Sequence, residues 1–200
     1  MRGLEKFVGG VVALGLAATL AAPVGATTLR RAGLDELVAG NGTIVVGQVL
    51  DVESRWNADH TFILTDVKVA VSEKVKGRVQ GETLTVTLMG GRVGETTTLI
   101  LGGAELIPGN EYLLFLNREE LPGEANALTV RDHVQGAFNL IENKGDGKVQ
   151  AFSQALHTPL VPDASGNVRP VGGEEGLPLA DMLVAIREIA KQQGPRQEVK

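Results

Sequence analysis

The sequence contains no cysteine. That removes disulfides, a thiol nucleophile, thiolate metal sites and a lipid-bearing cysteine at a cleavage point. The fold must rest on its apolar core, which a chain of 200 residues can supply. Aromatic side chains are scarce, at 4%, so that core has to be built from Val, Leu and Ile. Positive charge is also in deficit: 19 Lys and Arg against 24 Asp and Glu give a net charge of −5. Phosphate backbones want a basic face. Neither Arg30-Arg31 nor the Lys68, Lys74, Lys76 group is dense enough to make one, so no nucleic-acid partner is expected. Beyond the N-terminal segment no run is long and apolar enough to span a bilayer.

Chemical motifs are missing as well. His60, His133 and His157 each stand alone, with no second His or carboxylate at metal-ligand spacing on one element. Asp132 and His133 are neighbours, and in a strand they would point to opposite faces. The serines are Ser54, Ser72, Ser153 and Ser165, and none sits in a G-x-S-x-G elbow. Ser153 and His157 are close enough in sequence to touch, but they lack an identifiable third group and oxyanion site. "GGRVGE" has neither the lysine nor the following helix of a phosphate loop, and strands flank it. "ENKGDGKV" and "PDASGNV" do not match a calcium loop. Glu119-Glu120 and Glu174-Glu175 read as solvated loops. No cofactor, no metal and no catalytic residue is assigned, and the chain is not expected to be an enzyme.

What is present begins with "MRGLEKFVGGVVALGLAATLAAPVGATT". Arg2 and Lys6 precede an uncharged run from Phe7 to Ala22, and Val24-Gly25-Ala26 places small residues where a signal peptidase cuts. Residues 1–26 therefore read as a secretory signal, with the mature chain starting at Thr27. The run is too short and too interrupted by glycine for a membrane anchor. Export without cysteine points to a bacterium, and to the periplasm or the medium as its destination.

The 26 glycines favour short strands and turns over a helical bundle. Leu29, Leu34, Leu37 and Val38 predict a short amphipathic helix over 32–39, stopped by Gly40-Asn41-Gly42. Asn41-Gly42-Thr43 also spells a glycosylation sequon, read here first as a helix stop. From Thr43 to Trp56 apolar residues occupy both parities, so either both faces are buried or a bulge at Gly47 shifts the register. Val67, Val69 and Val71, then Leu84, Val86 and Leu88, alternate with polar residues, predicting strands over 61–75 and 82–89. Further strands are expected over 93–101, 111–116, 127–132, 134–142 and 148–152, with Gly145-Asp146-Gly147 as a hairpin turn. Residues 158–176 read as a Pro/Gly-rich crossing loop. Leu179, Met182, Leu183, Ile186 and Ile189 then form one stripe of a helix over 177–193 that should pack on the sheet. Residues 194–200 read as a disordered tail.

The pieces "IVVGQVLDVES", "TDVKVAVSEKVKG", "ETLTVTLMGG" and "IPGNEYLLFL" follow one another in an order that resembles the netrin-like barrels. The best-known members of that family are the tissue inhibitors of metalloproteinases, and the layout is most similar to exported bacterial proteins of this type. The resemblance spans Ile44 to Asn117. It implies a five-stranded Greek-key barrel of the OB type, here over 27–157, with a short N-terminal and an amphipathic C-terminal helix. Those inhibitors reach the protease metal through an N-terminal cysteine, which this chain lacks, so the resemblance implies a fold and carries over no inhibitory residue.

The expected function is an exported, non-catalytic binding or structural module whose partner is an extracytoplasmic protein. The alternatives are an inhibitor of a secreted protease, or a hydrolase using Ser153 and His157. Loops at the open end of a barrel would bear the contact, with Trp56, Asn57, Arg92 and Glu124 as the expected partner-binding residues. Trp56 has a second reading, as a cover over the core at a strand end.

Overall fold

The computed structural model describes residues 29–131 and 133–193. The expected signal segment 1–26 and the tail 194–200 lie outside the described residues. In chain order the elements are β1 (Leu29–Arg30), α1 (Leu34–Gly40), β2 (Thr43–Trp56), β3 (Ile63–Lys76), β4 (Thr83–Met89), β5 (Gly91–Val93) and β6 (Thr96–Thr98). There follow β7 (Glu111–Leu121), β8 (Glu124–Val130), a 3-10 turn (His133–Gly136), β9 (Ala137–Glu142) and β10 (Val149–Ser153). A second 3-10 turn (Gln154–His157), β11 (Leu160–Val161), β12 (Leu177–Pro178) and α2 (Leu179–Gln193) complete the order.

The protein is mainly β, and its large sheet is antiparallel throughout, in the order β12-β10-β9-β7-β2-β3-β4, with β8 paired to the far half of β7. β1 and β11 form a separate parallel pair, and β5 and β6 a separate small hairpin. The bent sheet brings β4 beside β8, but among the described residues no hydrogen-bonded ladder joins them. The described residues form no closed barrel.

β2 explains most of this shape. Its opening residues Ile44, Val45 and Val46 are all buried, because the strand is a wall between two cores. Ile44 and Val46 join Leu113, Phe115, Phe138 and Ala151 beneath α1 and α2. Val45 and Val49 face the other way, toward Val67, Val69, Val86, Tyr112, Leu114 and Leu116. Three irregularities interrupt the β2–β3 register, one of them between Val46 and Gly47. A Cβ at Gly47 would stand 2.5 Å from the Ala70 carbonyl oxygen, so the backbones approach there as only glycine allows. Both readings of the mixed parity are realised.

The helices supply the lid on the first core. Met182, Leu183 and Ile186 of α2 are buried in it, with Leu179 and Ile189 packed at its margin. α1 contributes Leu37 and Val38. A helix of 7 residues has little stability of its own, and its end is tied down by side chains. The Leu37 carbonyl accepts from Asn41 Nδ2 at 2.7 Å, that of Val38 from the Lys76 ammonium, and that of Gly40 from Arg131 Nη1 at 2.7 Å. Cations at this end also oppose the helix dipole. Asn41 is fully buried, which suits the helix stop and not a glycan acceptor.

Several expected elements differ. The strand over 93–101 is instead the β5–β6 hairpin, because Gly94-Glu95 turns the chain back so that Val93 faces Thr96. Leu99 and Leu101, left without a partner strand, are 77% and 86% exposed. The strand expected over 134–142 begins only at Ala137, because Val134, Gln135 and Gly136 continue a 3-10 turn that His133 opens with φ of 54°. β7 does not end at Leu116. It continues to Leu121 because β8 pairs with it, so Glu119 belongs to a strand and forms an ion pair with Arg131, its Oε1 3.6 Å from Nε.

Candidate binding end of the sheet

The β2–β3 turn forms one end of the sheet. Trp56, half-buried, is the last residue of β2, and its ring lies over His60 with centroids 6.3 Å apart and planes at 27°. Asn57 follows and is only 2% exposed. Its Oδ1 accepts from the N–H groups of Thr61 (2.9 Å) and Phe62 (3.1 Å), which closes the turn as an extended Asx motif. Its Nδ2 donates to Thr61 Oγ1 and to the Pro122 carbonyl, each at 3.1 Å. The second of these bonds crosses to the β7–β8 turn, so one buried amide joins two turns far apart in sequence.

A second tie lies beside it. Arg55 Nε donates to Asp66 Oδ2 at 2.6 Å and its Nη2 to Glu124 Oε2. Thr87 Oγ1 donates to Asp66 Oδ1 at 2.9 Å. The Asp66 carboxylate, and then that of Glu124, raise the Arg55 pKa further above its ordinary value. A single guanidinium thus links β2, β3 and β8. A third tie holds β5: Arg92 N–H donates to Ser54 Oγ at 3.3 Å, Ser54 and Thr65 hydroxyls are 2.9 Å apart, and Thr65 Oγ1 donates to the Gly90 carbonyl at 2.6 Å.

The four residues expected to bind a partner therefore gather at one end of the sheet. Trp56, Asn57 and Glu124 belong to the linked turns, and Arg92 stands on β5 against the same β2–β3 hairpin. Their surroundings differ. Arg92 is exposed, Trp56 is half-buried, Glu124 is engaged by Arg55, and the Asn57 side chain is spent inside the turn. The expected loop over 121–126 narrows to Pro122-Gly123, since β8 begins at Glu124. Arg55, Asp66 and Thr87 were not singled out in the sequence. The only hint is the alternation that puts Asp66 and Thr87 on one face of neighbouring strands.

Next to this end a cleft of about 590 Å³ opens between β4, residues 78–80 and β8. Arg55, Asp66 and Thr87 lie on one side and Glu124 on the other, with Arg78 and Arg118 also in the lining. Elsewhere a cleft of about 840 Å³ contains Ser153 and His157. Ser153 is 4% exposed, and its Oγ accepts from the Ala155 N–H at 3.2 Å, capping the second 3-10 turn. His157 is exposed at the other end of that turn, and no hydrogen bond joins the two side chains. Gln154 in the same cleft uses its amide on Glu105 and Asn139. Among the described residues no three His, Asp or Glu side chains converge as a metal site would require. No helix of the described residues is long and apolar enough to cross a membrane.

No protein-family model matches this chain, and no curated protein matches it either.

Proposed function

We propose that this chain is an exported, non-catalytic binding module that meets an extracytoplasmic protein through the end of the sheet bearing Trp56, Arg92 and the β7–β8 turn. One observation carries the reading. Asn57, Arg55 and Ser54 tie the β2–β3 turn, the β7–β8 turn and β5 together. The result is a braced platform, with Arg92 exposed and Trp56 half-exposed at its surface. Export rests on the charged start, apolar run and V-x-A site of residues 1–26, and places the protein in the periplasm or the medium. The OB-like barrel is proposed with it. β2 lies between β3 and β7, β3 beside β4 and β7 beside β8, which is the neighbour order of a five-stranded Greek-key barrel left open between β4 and β8.

The test is capture by the tagged mature chain from its own cell exterior, repeated with Trp56→Ala and Arg92→Glu. The reading expects a retained protein that both variants lose, while the urea midpoint of each variant stays near that of the parent. Retention unaffected by both variants would remove this end from consideration. Turnover of an ester or peptide substrate abolished by Ser153→Ala would defeat the non-catalytic reading. Inhibition of a protease retained on the column would make the module an inhibitor.

A further inference from the structure

We infer that the cleft at the open seam between β4 and β8 holds an acidic, extended peptide segment of the partner. The inference rests on the binding reading above and deepens it.

Charge is the first support. Asp66 and Glu124 are both spent on Arg55, whose guanidinium lies between them. That leaves Arg78 with no carboxylate partner among the described residues, and Arg118 with only the Asn126 carbonyl, at 2.9 Å. Lys68, exposed and opposite Thr85 in the β3–β4 ladder, adds a third cation beside the cleft; among the described residues it makes no ion pair, although Asp51 stands opposite it in the β2–β3 ladder. A chain with a net charge of −5 thus turns a local excess of positive charge toward this opening. Guanidinium forks fit carboxylates in two-point geometry.

Backbone is the second support. β4 is bonded to β3 on one side only and β8 to β7 on one side only, so both present an unladdered edge. A strand edge recognises an extended main chain through its own N–H and C=O groups. The spacing decides how. Residues of β4 and β8 approach within 8 Å between Cα atoms. An intervening strand would need about 9–10 Å. The segment therefore does not insert as a strand between them; it lies across the mouth of the cleft, held by Arg78 and Arg118, with the free edge groups of β4 and β8 beneath it. The lining combines hydroxyl, amide and guanidinium groups with the Arg55-bound carboxylates of Asp66 and Glu124 and a few aliphatic side chains such as Val79 and Leu84, and it has no aromatic side chain on which a base could stack.

The test titrates three probes into the mature chain, following backbone amide shifts by NMR. They are a synthetic peptide alternating Val and Glu, the same peptide with Gln for Glu, and inorganic phosphate. The acidic peptide is expected to shift β4 and β8 amides, to weaken with added salt, and to bind at least about tenfold more tightly than the Gln peptide. The double variant R78Q/R118Q, exposed positions whose urea midpoint should not move, should lose a similar factor. Equal binding of both peptides, phosphate as tight as the acidic peptide, or shifts away from β4 and β8 would each overturn the assignment. If capture of the native partner depends on Trp56 and Arg92 but is undiminished by R78Q/R118Q, the cleft assignment fails while the binding reading stands.

Discussion

Asn57→Ala should be among the most damaging polar substitutions in the molecule. The side chain makes four hydrogen bonds and is 2% exposed. A typical bond is worth about 0.5–1.5 kcal/mol net, and a buried group left without a partner costs about 1–3 kcal/mol. Not all four losses are of that kind. Thr61 and Pro122 are exposed, so water can reach the Thr61 N–H, its hydroxyl and the Pro122 carbonyl. Phe62 is half-buried, so its N–H is the group that water serves worst. One orphaned donor and three weakened contacts amount to about 2–3 kcal/mol. Asn57→Asp keeps both acceptor bonds, loses both donors and faces Pro122 with an oxygen, so it should fall between parent and Ala. Gly123 supplies a cross-check. Its φ is 70°, and a Cβ there would stand 2.7 Å from Asn57 Nδ2. Gly123→Ala should therefore destabilise by clash as well as by backbone strain. Removing the amide leaves Asn57 Cβ at 3.3 Å as the nearest atom, so the double variant should cost less than the sum of the two. The assay is urea unfolding followed by Trp56, the one tryptophan of the chain. An Asn57→Ala stability within about 0.5 kcal/mol of the parent, or strict additivity with Gly123→Ala, would refute the bridge between the turns.

Leu183→Ala, in the core beneath α2, should cost about 2–5 kcal/mol, and an unchanged urea midpoint would mean that α2 is not docked as described. Asp163 should make stability depend on pH. Its carboxylate accepts the Asn167 backbone N–H first of all, then bonds from the Asn167 side chain, Ser165 and Arg31, which lower its pKa from 3.8 to about 2. Its contribution is present above the unfolded value and is lost as pH falls toward the folded one. The gap in urea midpoint between parent and Asp163→Asn should therefore close between about pH 5 and about pH 2, and a constant gap would refute it. Amide exchange should be faster at Phe62 and in the β7–β8 turn than at Ile44 to Val46 or Leu113 to Leu116, because the end rests on a small cluster of Leu64, Leu121 and Ala127 with Phe62 at its margin. Equal protection would show that the end is as firmly held as the centre.

The long alternating strands were legible because their pattern is local. Val67, Val69, Val86 and Leu88 announce β3 and β4 by period alone, and Gly145-Asp146-Gly147 announces the β9–β10 hairpin. The failures are those where the partner decides. Asn117, Arg118 and Glu119 look like a loop after five buried residues, yet they remain in β7 because Thr129, Leu128 and Ala127 pair with them. Leu99-Ile100-Leu101 looks like a strand, yet among the described residues no strand pairs with it. The site divides in the same way. Trp56 and Asn57 were findable from a turn at a strand end. Arg55 and Glu124 are 69 residues apart, and their meeting depends on how far β7 bends and where β8 joins it.

The two cores and the open seam follow from one choice of sequence. A β2 that is apolar on both faces needs cover on both sides. α1 and α2 give it on one, and the curled sheet of β3, β4, β7 and β8 gives it on the other. With few aromatic side chains, burial has to come from many Val and Leu contacts spread along these strands, each fully buried Leu or Val contributing about 1.5–3 kcal/mol. That burial is concentrated at the β2–β7 wall. Toward the seam the strands turn polar: Thr85 and Thr87 on β4, Asn126 on β8, with Arg55 held between two carboxylates. Stability is thus carried by one part of the sheet and leaves the other free to be polar. Exposed Arg78 and Arg118 can then be exchanged without reaching either core, whereas Asn57, inside the brace, cannot. Separability of this kind is what lets a binding surface on a β scaffold be changed without unfolding it.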